Sequence, residues 1–140
     1  MQEPSLAFQT GVRTALIASA DVLALVPADN VRSGSTRPDK TPCIILSGAS
    51  TEFLGHASGS QYMASVSLDL HIWAIEDGAD TSKAIGFAAS KALITLPRIQ
   101  DGFEIDALDQ PSVVWLRDPQ PELAYTHGIL NLEAVIRWKS

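Results

Sequence analysis

Residues 65–73 read Ser-Val-Ser-Leu-Asp-Leu-His-Ile-Trp, and residues 84–93 read Ala-Ile-Gly-Phe-Ala-Ala-Ser-Lys-Ala-Leu. In the first stretch polar and apolar residues alternate, which is typical of a β-strand with one buried face. In the second, apolar residues recur every three to four positions, which predicts an amphipathic helix over residues 80–96. Between them, Glu-Asp-Gly-Ala-Asp at 76–80 leaves room only for a turn. A strand that leads directly into a helix therefore forms the centre of the predicted fold.

The chain before this centre supplies one helix and two shorter extended segments. Apolar residues at helical spacing predict a first helix from Pro4 to about Ser19. A polar link then carries a short extended segment near Val31. The apolar run at 42–47 predicts a strand that is buried on both faces.

The chain after this centre supplies strands only. Three are predicted, and hairpin-length links between them favour antiparallel pairing; they lie at 103–108, 113–117 and 125–138. The predicted fold class is α+β, with one mainly antiparallel sheet of four to five strands and two helices packed on one face. A chain of 140 residues fits a single domain over residues 1–140.

Composition narrows the function classes. The net charge is −6 and the ten Lys and Arg residues are scattered, which argues against a tight grip on nucleic acid. No apolar run reaches the roughly 20 residues that span a bilayer, and the N-terminus lacks the features of a signal peptide. The expected site of synthesis is the cytoplasm. Cys43 is the only cysteine, so an internal disulfide is impossible and an inert buried thiol is expected.

The segment 48–61 is rich in Gly and Ser and reads as a long flexible loop or arm. Phe53 and Leu54 lie in its middle, and His56 follows them. Two interpretations stay open: a mobile connection between two strands, or an arm that becomes ordered on a partner. In the second, Phe53, Leu54 and His56 are the candidate docking residues.

The predicted second helix carries apolar residues on both sides. Phe87 and Ile94 share the polar side with Lys83 and Lys91, where a lone domain has no use for large apolar groups. These four residues are therefore candidates for a contact between subunits.

Asp69 and His71 lie on the polar side of the central strand and are the nearest approach to a chemical site. An acid–base pair or two metal ligands is one interpretation, and a subunit interface is the other. No spaced His or Cys motif supplies a third ligand, and no nucleophile motif is present. We therefore predict no catalytic residue, no metal and no cofactor, and we count Asp69 and His71 among the interface candidates.

Several motifs together carry a family resemblance over nearly the whole chain. They are the Leu-Ala-Leu-Val end of the first helix, Asp29-Asn-Val-Arg32, Pro42-Cys-Ile-Ile-Leu46, Val66-Ser-Leu-Asp-Leu-His-Ile-Trp-Ala74 with its Ala-rich helix, Trp115-Leu-Arg-Asp-Pro119 and His127-Gly-Ile-Leu-Asn-Leu132. In this set the chain resembles the tail-terminator (tail-completion, head–tail joining) proteins of long-tailed bacteriophages and gene transfer agents.

The resemblance implies a structural virion protein and not an enzyme. It implies a homo-oligomeric ring, commonly a hexamer, that caps the tail tube, ends tail polymerisation and joins the tail to the head. The implied partners are the tail tube protein and a head–tail connector or adaptor protein, and DNA passes through the lumen without specific binding. The implied location is the virion tail at the head–tail junction, after assembly in the cytoplasm of the host bacterium.

Two alternatives remain at the level of sequence. One is a different role in the same particle, as another head–tail adaptor or a tail-tube subunit. The other is a small hydrolase or ligand-binding protein built around Asp69 and His71.

Overall fold

Two long antiparallel strands, β3 (Gln61–Ile75) and β6 (Ala124–Lys139), form the centre of the fold, as seen in a computed structural model. It describes residues 1–35, 37–38, 40–76, 79–94, 96, 102–119 and 124–139. The remaining elements are α1 (Pro4–Ile17), α2 (Ala20–Leu23), a 3-10 turn (Ala28–Asn30), β1 (Val31–Ser33), β2 (Cys43–Ala57), α3 (Asp80–Ile94), β4 (Glu104–Leu108) and β5 (Ser112–Pro119).

The sheet extends to both sides of this central pair. β2 pairs antiparallel with β3, and the short β1 pairs parallel with β2. On the other side, β5 and β4 each pair with a different half of β6. The antiparallel pairing of β5 with β6 was predicted, whereas β4 pairs with β6 and does not form a hairpin with β5. The long β6 offers enough edge for two short strands in line.

Both long helices pack on the same face of this sheet. The core between them contains residues that alternate along the strands, as the period-two pattern predicts. Its members are Phe8, Val12, Leu16, Ile85, Ala89 and Leu93 from the helices and Ile44, Leu46, Val66, Leu68, Leu70, Ile72, Leu130, Leu132, Ala134 and Ile136 from the sheet. The predicted α+β class is confirmed, with six strands in the sheet instead of four or five.

The strand before the central one is buried on both faces, as predicted. Ile44 and Leu46 belong to the core under the helices, whereas Cys43 and Ile45 form a second small cluster with Trp73 on the opposite face. Cys43 is a free and buried thiol.

The prediction of a long loop at 48–61 is wrong, because β2 continues to Ala57 and β3 begins at Gln61. Partners run from Ser50 opposite Ser67 to Ala57 opposite Gln61, with shifts in register after Ser47 and after Phe53. Gly48 and Gly55 have positive φ angles at these two irregularities, a backbone conformation that glycine adopts without strain. The glycines that suggested a loop thus mark bulges in a long hairpin.

An indole side chain connects α3 to the sheet. A Cβ atom placed on Gly86 of α3 would lie 2.4 Å from Trp115, and one placed on Gly128 of β6 would also lie 2.4 Å from it. Trp115 is the cross-strand neighbour of Gly128, so its ring lies between a helix and a strand that both lack a side chain there. The two glycines permit the close approach of α3 to β5 and β6.

Within the described ranges, no helix combines the length and the apolar character that crossing a bilayer requires.

Candidate functional site

Seven of the ten exposed large apolar side chains among the described residues lie on three surfaces of the fold, and the predicted site residues lie on the same three. The first is the outer side of α3, which we call the α3 outer surface (Lys83, Phe87, Lys91 and Ile94). Phe87 is 67% exposed and Ile94 is 49% exposed. These side chains point away from the sheet because the other side of α3 supplies the core.

Lys91 holds a defined position on the α3 outer surface. Its Nζ donates to a carboxylate oxygen of Asp21 at 2.9 Å and lies 5.1 Å from the centroid of the Phe87 ring. The positive charge therefore lies beside an exposed aromatic ring, an arrangement that cation–π attraction favours. The α3 outer surface thus combines apolar groups with positive charge, as the sequence predicted.

The second surface is the open sheet face, the side of the sheet opposite to the helices. Strand register places its side chains in rows. One row contains Cys43, Trp73, His127 and Leu116; the next contains Ile45, His71, Ile129 and Val114; a third contains Ser47, Asp69, Asn131 and Ser112. The open sheet face therefore changes from apolar to polar along the strands, over the roughly 14 Å that separate the first row from the third.

The apolar end of the open sheet face is only partly covered. Val114 is 59% exposed and Leu116 is 46% exposed, and Ile75 at the end of β3 is also exposed. The polar end carries the carboxylates of Asp69 and Glu133, which both face this side of the sheet. Apolar and acidic groups therefore adjoin each other on one flat surface.

Two histidines and a tryptophan form a stack on the open sheet face. The ring of His127 lies parallel to that of Trp73 at a centroid distance of 3.8 Å, and Nδ1 of His71 lies 2.7 Å from Nε2 of His127. One of these two nitrogens must donate and the other accept. Burial lowers the pKa of His71, and the nearby Asp69 carboxylate opposes this shift without cancelling it. The stack therefore holds these three rings in place on the open sheet face. The lowered pKa of His71 favours its uncharged form.

Asp69 and His71, which the sequence marked as a possible chemical pair, have different partners. Asp69 accepts a hydrogen bond from Asn131 at 3.0 Å, whereas His71 contacts His127. Gly48 packs against the other oxygen of Asp69, where a Cβ atom would lie 3.1 Å away. In the described part of the chain, no three His, Cys, Asp or Glu side chains are grouped closely enough to bind one metal ion.

The third surface lies at the far end of the β2–β3 hairpin, and we call it the hairpin surface (Phe53, Leu54, His56, Tyr62 and Trp138). The ring of Trp138 contacts Tyr62 with nearly parallel planes and meets Phe53 edge-on at 6.3 Å. His56 lies against Tyr62 at 4.5 Å between centroids. Phe53 and Leu54 remain largely exposed, and Phe53 and His56 each contact an aromatic ring of this surface.

A shallow pocket of about 300 Å³ opens beside this hairpin end, with Gln61, Glu104, Arg137 and Trp138 in its wall. Arg137 is the obvious candidate for binding an anion. Its guanidinium already pairs with Glu104 at 2.5 Å and Asp106 at 2.6 Å and donates to Gln61 at 2.9 Å. The charge is compensated within the chain, so this pocket has no clear chemistry to offer a ligand.

Sequence reasoning did not find Val114, Leu116, His127 and Asn131. The signal available for Val114 and Leu116 is the unbroken apolar run from Val113 to Leu116. Such a run in an edge strand leaves apolar groups on the uncovered face. The roles of His127 and Asn131 depend on the register between β3 and β6, which no local pattern specifies.

The fold and its surfaces define a small α+β protein whose distinctive features are exposed apolar patches, as in assembly proteins. The sequence profile of the family "Tail completion protein gp17" matches residues 10–137, and the chain belongs to this family. It is therefore a structural protein of a phage-type virion, and its place is the tail. Among curated proteins, no sequence matches significantly.

Solved structures show the same fold. A chain of the "Virion of native gene transfer agent (GTA) particle" superposes with a TM-score of 0.70 at 20% identity, covering 92% of this chain and 93% of that one. The bacteriophage SPP1 gp17 protein superposes with a TM-score of 0.58 at 19% identity, covering 94% of this chain and 89% of that one.

Proposed function

We propose that copies of this protein close into a ring on the end of the tail tube, end tube polymerisation and join the tail to the head. DNA passes through the lumen of this ring. The observation that carries the proposal is the α3 outer surface, where Phe87 and Ile94 remain in solvent although the other side of α3 is buried in the core. Membership of the tail-completion family supports the proposal, because a protein of an assembled tail contacts other subunits and can bury this surface against them.

A ring accounts for this surface through repeated contacts. Copies that contact each other through two different patches assemble head to tail. The assembly closes into a ring when the rotation from one copy to the next is a whole fraction of a full turn. Six copies are our expectation for this family. Phe87 is the side chain whose loss should matter most, because large aromatic groups at the centre of a contact carry much of its energy.

The charge of the protein suits a channel for DNA. A net charge of −6 repels a polyanion, so the ring surrounds DNA without retaining it. The partners in the virion are the tail tube protein on one side and a head–tail connector or adaptor protein on the other. The hairpin surface, with Phe53, Leu54 and His56, is our candidate for the contact with the tube.

The test compares wild-type protein with Phe87→Asp. We expect closed rings in electron micrographs of the wild type and a monomer mass in light scattering for Phe87→Asp, with unchanged circular dichroism. Leu6→Asp is the matched control, because Leu6 is 46% exposed and lies on α1, outside the α3 outer surface and the open sheet face, and it should still form rings.

Two results would contradict this proposal, the first its contact surface and the second the closed ring itself. If Phe87→Asp assembles as the wild type does, the α3 outer surface is not a contact between copies. If the wild type forms open tubes in place of closed rings, the protein is a tube subunit and the alternative role in the particle is correct.

A further inference from the structure

We propose that the surface that receives α3 in this ring is the open sheet face of the next copy. Phe87 and Ile94 of one copy lie over Val114 and Leu116 of its neighbour, with Lys83 and Lys91 directed towards Asp69 and Glu133. This inference rests on the proposed ring, and it names the second half of the contact.

The two surfaces match in apolar character and in size. Each presents two large apolar side chains that are about half exposed or more: Phe87 at 67% and Ile94 at 49%, Val114 at 59% and Leu116 at 46%. A helix of 15 residues is about 22 Å long, and a strand of eight residues is about 27 Å long. α3 can therefore lie along β5 over its whole length.

The charges of the two surfaces are complementary. Lys83 and Lys91 flank the apolar groups of the α3 outer surface, and Asp69 and Glu133 adjoin the apolar end of the open sheet face. Lys91 is already paired with Asp21 and lies beside the Phe87 ring, so Lys83 supplies most of this attraction between copies. The positive side chains of the open sheet face lie away from β5: Arg137 is in ion pairs with Glu104 and Asp106, Lys139 follows it at the end of β6, and Arg32 lies on the opposite edge strand β1. Acidic groups therefore dominate where α3 would lie.

The receiving surface is preformed. Leu116 is the cross-strand neighbour of His127, which stacks on Trp73, and Val114 is the neighbour of Ile129. Side chains that are already held in place lose little conformational entropy when a partner binds. The α3 outer surface and the open sheet face lie on opposite sides of the sheet, so one copy cannot satisfy both by itself. Each copy offers one of each surface, which is the requirement for head-to-tail assembly.

The test mixes two variants that are blocked on opposite surfaces. Val114→Asp removes the receiving surface and Phe87→Asp removes the inserting one, so neither variant alone should form rings. Mixed in equal amounts, they retain one intact pair of surfaces between them, and we expect a one-to-one dimer in light scattering and native mass spectrometry. Mixing Phe87→Asp with Leu6→Asp, which keeps both surfaces, is the control and should give short chains or partial rings.

The outcomes separate this inference from the proposed ring. If Val114→Asp still forms rings while Phe87→Asp is monomeric, the ring stands and the receiving surface lies elsewhere. If both variants are monomeric and the mixture is monomeric too, the two surfaces do not bind each other and the inference is wrong. If neither variant disturbs assembly, neither surface is a contact between copies, so this inference fails together with the proposed role of the α3 outer surface.

A second set of variants guards against a fold defect in Val114→Asp. Glu133 is exposed on the open sheet face and Lys83 is exposed on α3, so reversing either charge leaves the core intact. We expect Lys83→Glu and Glu133→Lys each to weaken association roughly five- to tenfold at low salt. The double variant should regain most of the wild-type affinity, because the opposite charges then meet again between copies. Additive weakening in the double variant would overturn the pairing.

Discussion

The indole of Trp115 occupies space that exists only because Gly86 and Gly128 have no side chains. Elsewhere in a helix, replacing glycine by alanine stabilises by about 0.5–1 kcal/mol, because alanine loses less conformational freedom on folding. At Gly86 the new methyl group would lie 2.4 Å from Trp115, well inside the sum of the atomic radii. Steric conflict and helix propensity therefore act in opposite directions at this one residue.

We expect the conflict to prevail, so that Gly86→Ala lowers the free energy of unfolding by about 1–3 kcal/mol. Gly11→Ala is the matched control on α1, where a Cβ atom meets nothing within 4 Å, and it should stabilise. Urea denaturation measures both. In a Trp115→Leu background the cost of Gly86→Ala should shrink. Equal stabilisation by both alanines would mean that Trp115 does not lie where the structure places it.

Short sequence patterns predict those strands and helices that bury one side in the core. The alternation in residues 65–73 and the helical spacing in 84–93 specify β3 and α3, because each must bury one side in the core. The hairpin beyond Gly48 was missed because its polar and glycine residues have no buried face to reveal. The part of β2 beyond Gly48 is held by backbone pairing with β3, and backbone pairing is not visible in the hydrophobicity pattern of a sequence.

The same limit applies to the candidate site. The exposed apolar groups Phe87 and Ile94 were predicted because they break the pattern of a helix. The placement of Val114 and Leu116 on the same face as Asp69 depends on how β5 and β3 both align with β6. That alignment is a long-range property, set by packing of the whole sheet, and it is not encoded in any short segment.

The start of α3 depends on a side chain from outside the helix. The Glu76 carboxylate, which precedes the helix, accepts hydrogen bonds from the amides of Thr81 at 2.9 Å and Ser82 at 3.0 Å. Burial alone would raise the pKa of Glu76, but the hydrogen bonds from Ser82 and Thr81 outweigh it and hold the pKa below its usual value. The ionised form is therefore the one that stabilises α3.

We expect Glu76→Gln to lower the free energy of unfolding by about 1 kcal/mol at pH 7, the usual contribution of a cap. A pKa lowered by folding stabilises in full above the unfolded value, near 4.5, and this contribution disappears as the pH falls further. The difference between wild type and Glu76→Gln should therefore shrink as the pH falls below about 4.5 and through the lowered pKa of the folded protein. Glu52→Gln, on the exposed side of the hairpin, is the control and should change stability little at any pH. A difference that is constant with pH would show that Glu76 acts through its shape and not its charge.

In the ring proposed for the whole molecule, the three surfaces have separate roles. The α3 outer surface and the open sheet face point in opposite directions from the sheet and suit contacts between copies. The hairpin surface lies at the far end of β2 and β3, outside that contact. A protein with this arrangement can form its ring and contact the tube with different residues, so the two activities should be separable by mutation.

Leu54→Asp makes this separation measurable. Leu54 is 48% exposed at the bulge after Phe53, so a charge there should leave the fold and the ring intact while removing an apolar group from the tube contact. In cells that produce particles, we expect tails of uncontrolled length, measured in electron micrographs, and purified Leu54→Asp should still form rings. Leu6→Asp, with nearly equal exposure on α1, should give tails of normal length. If the hairpin surface is the tube contact, loss of an apolar group there must release the growing end of the tube. Normal tails with Leu54→Asp would therefore exclude the hairpin surface as the tube contact, and they would not bear on the ring itself.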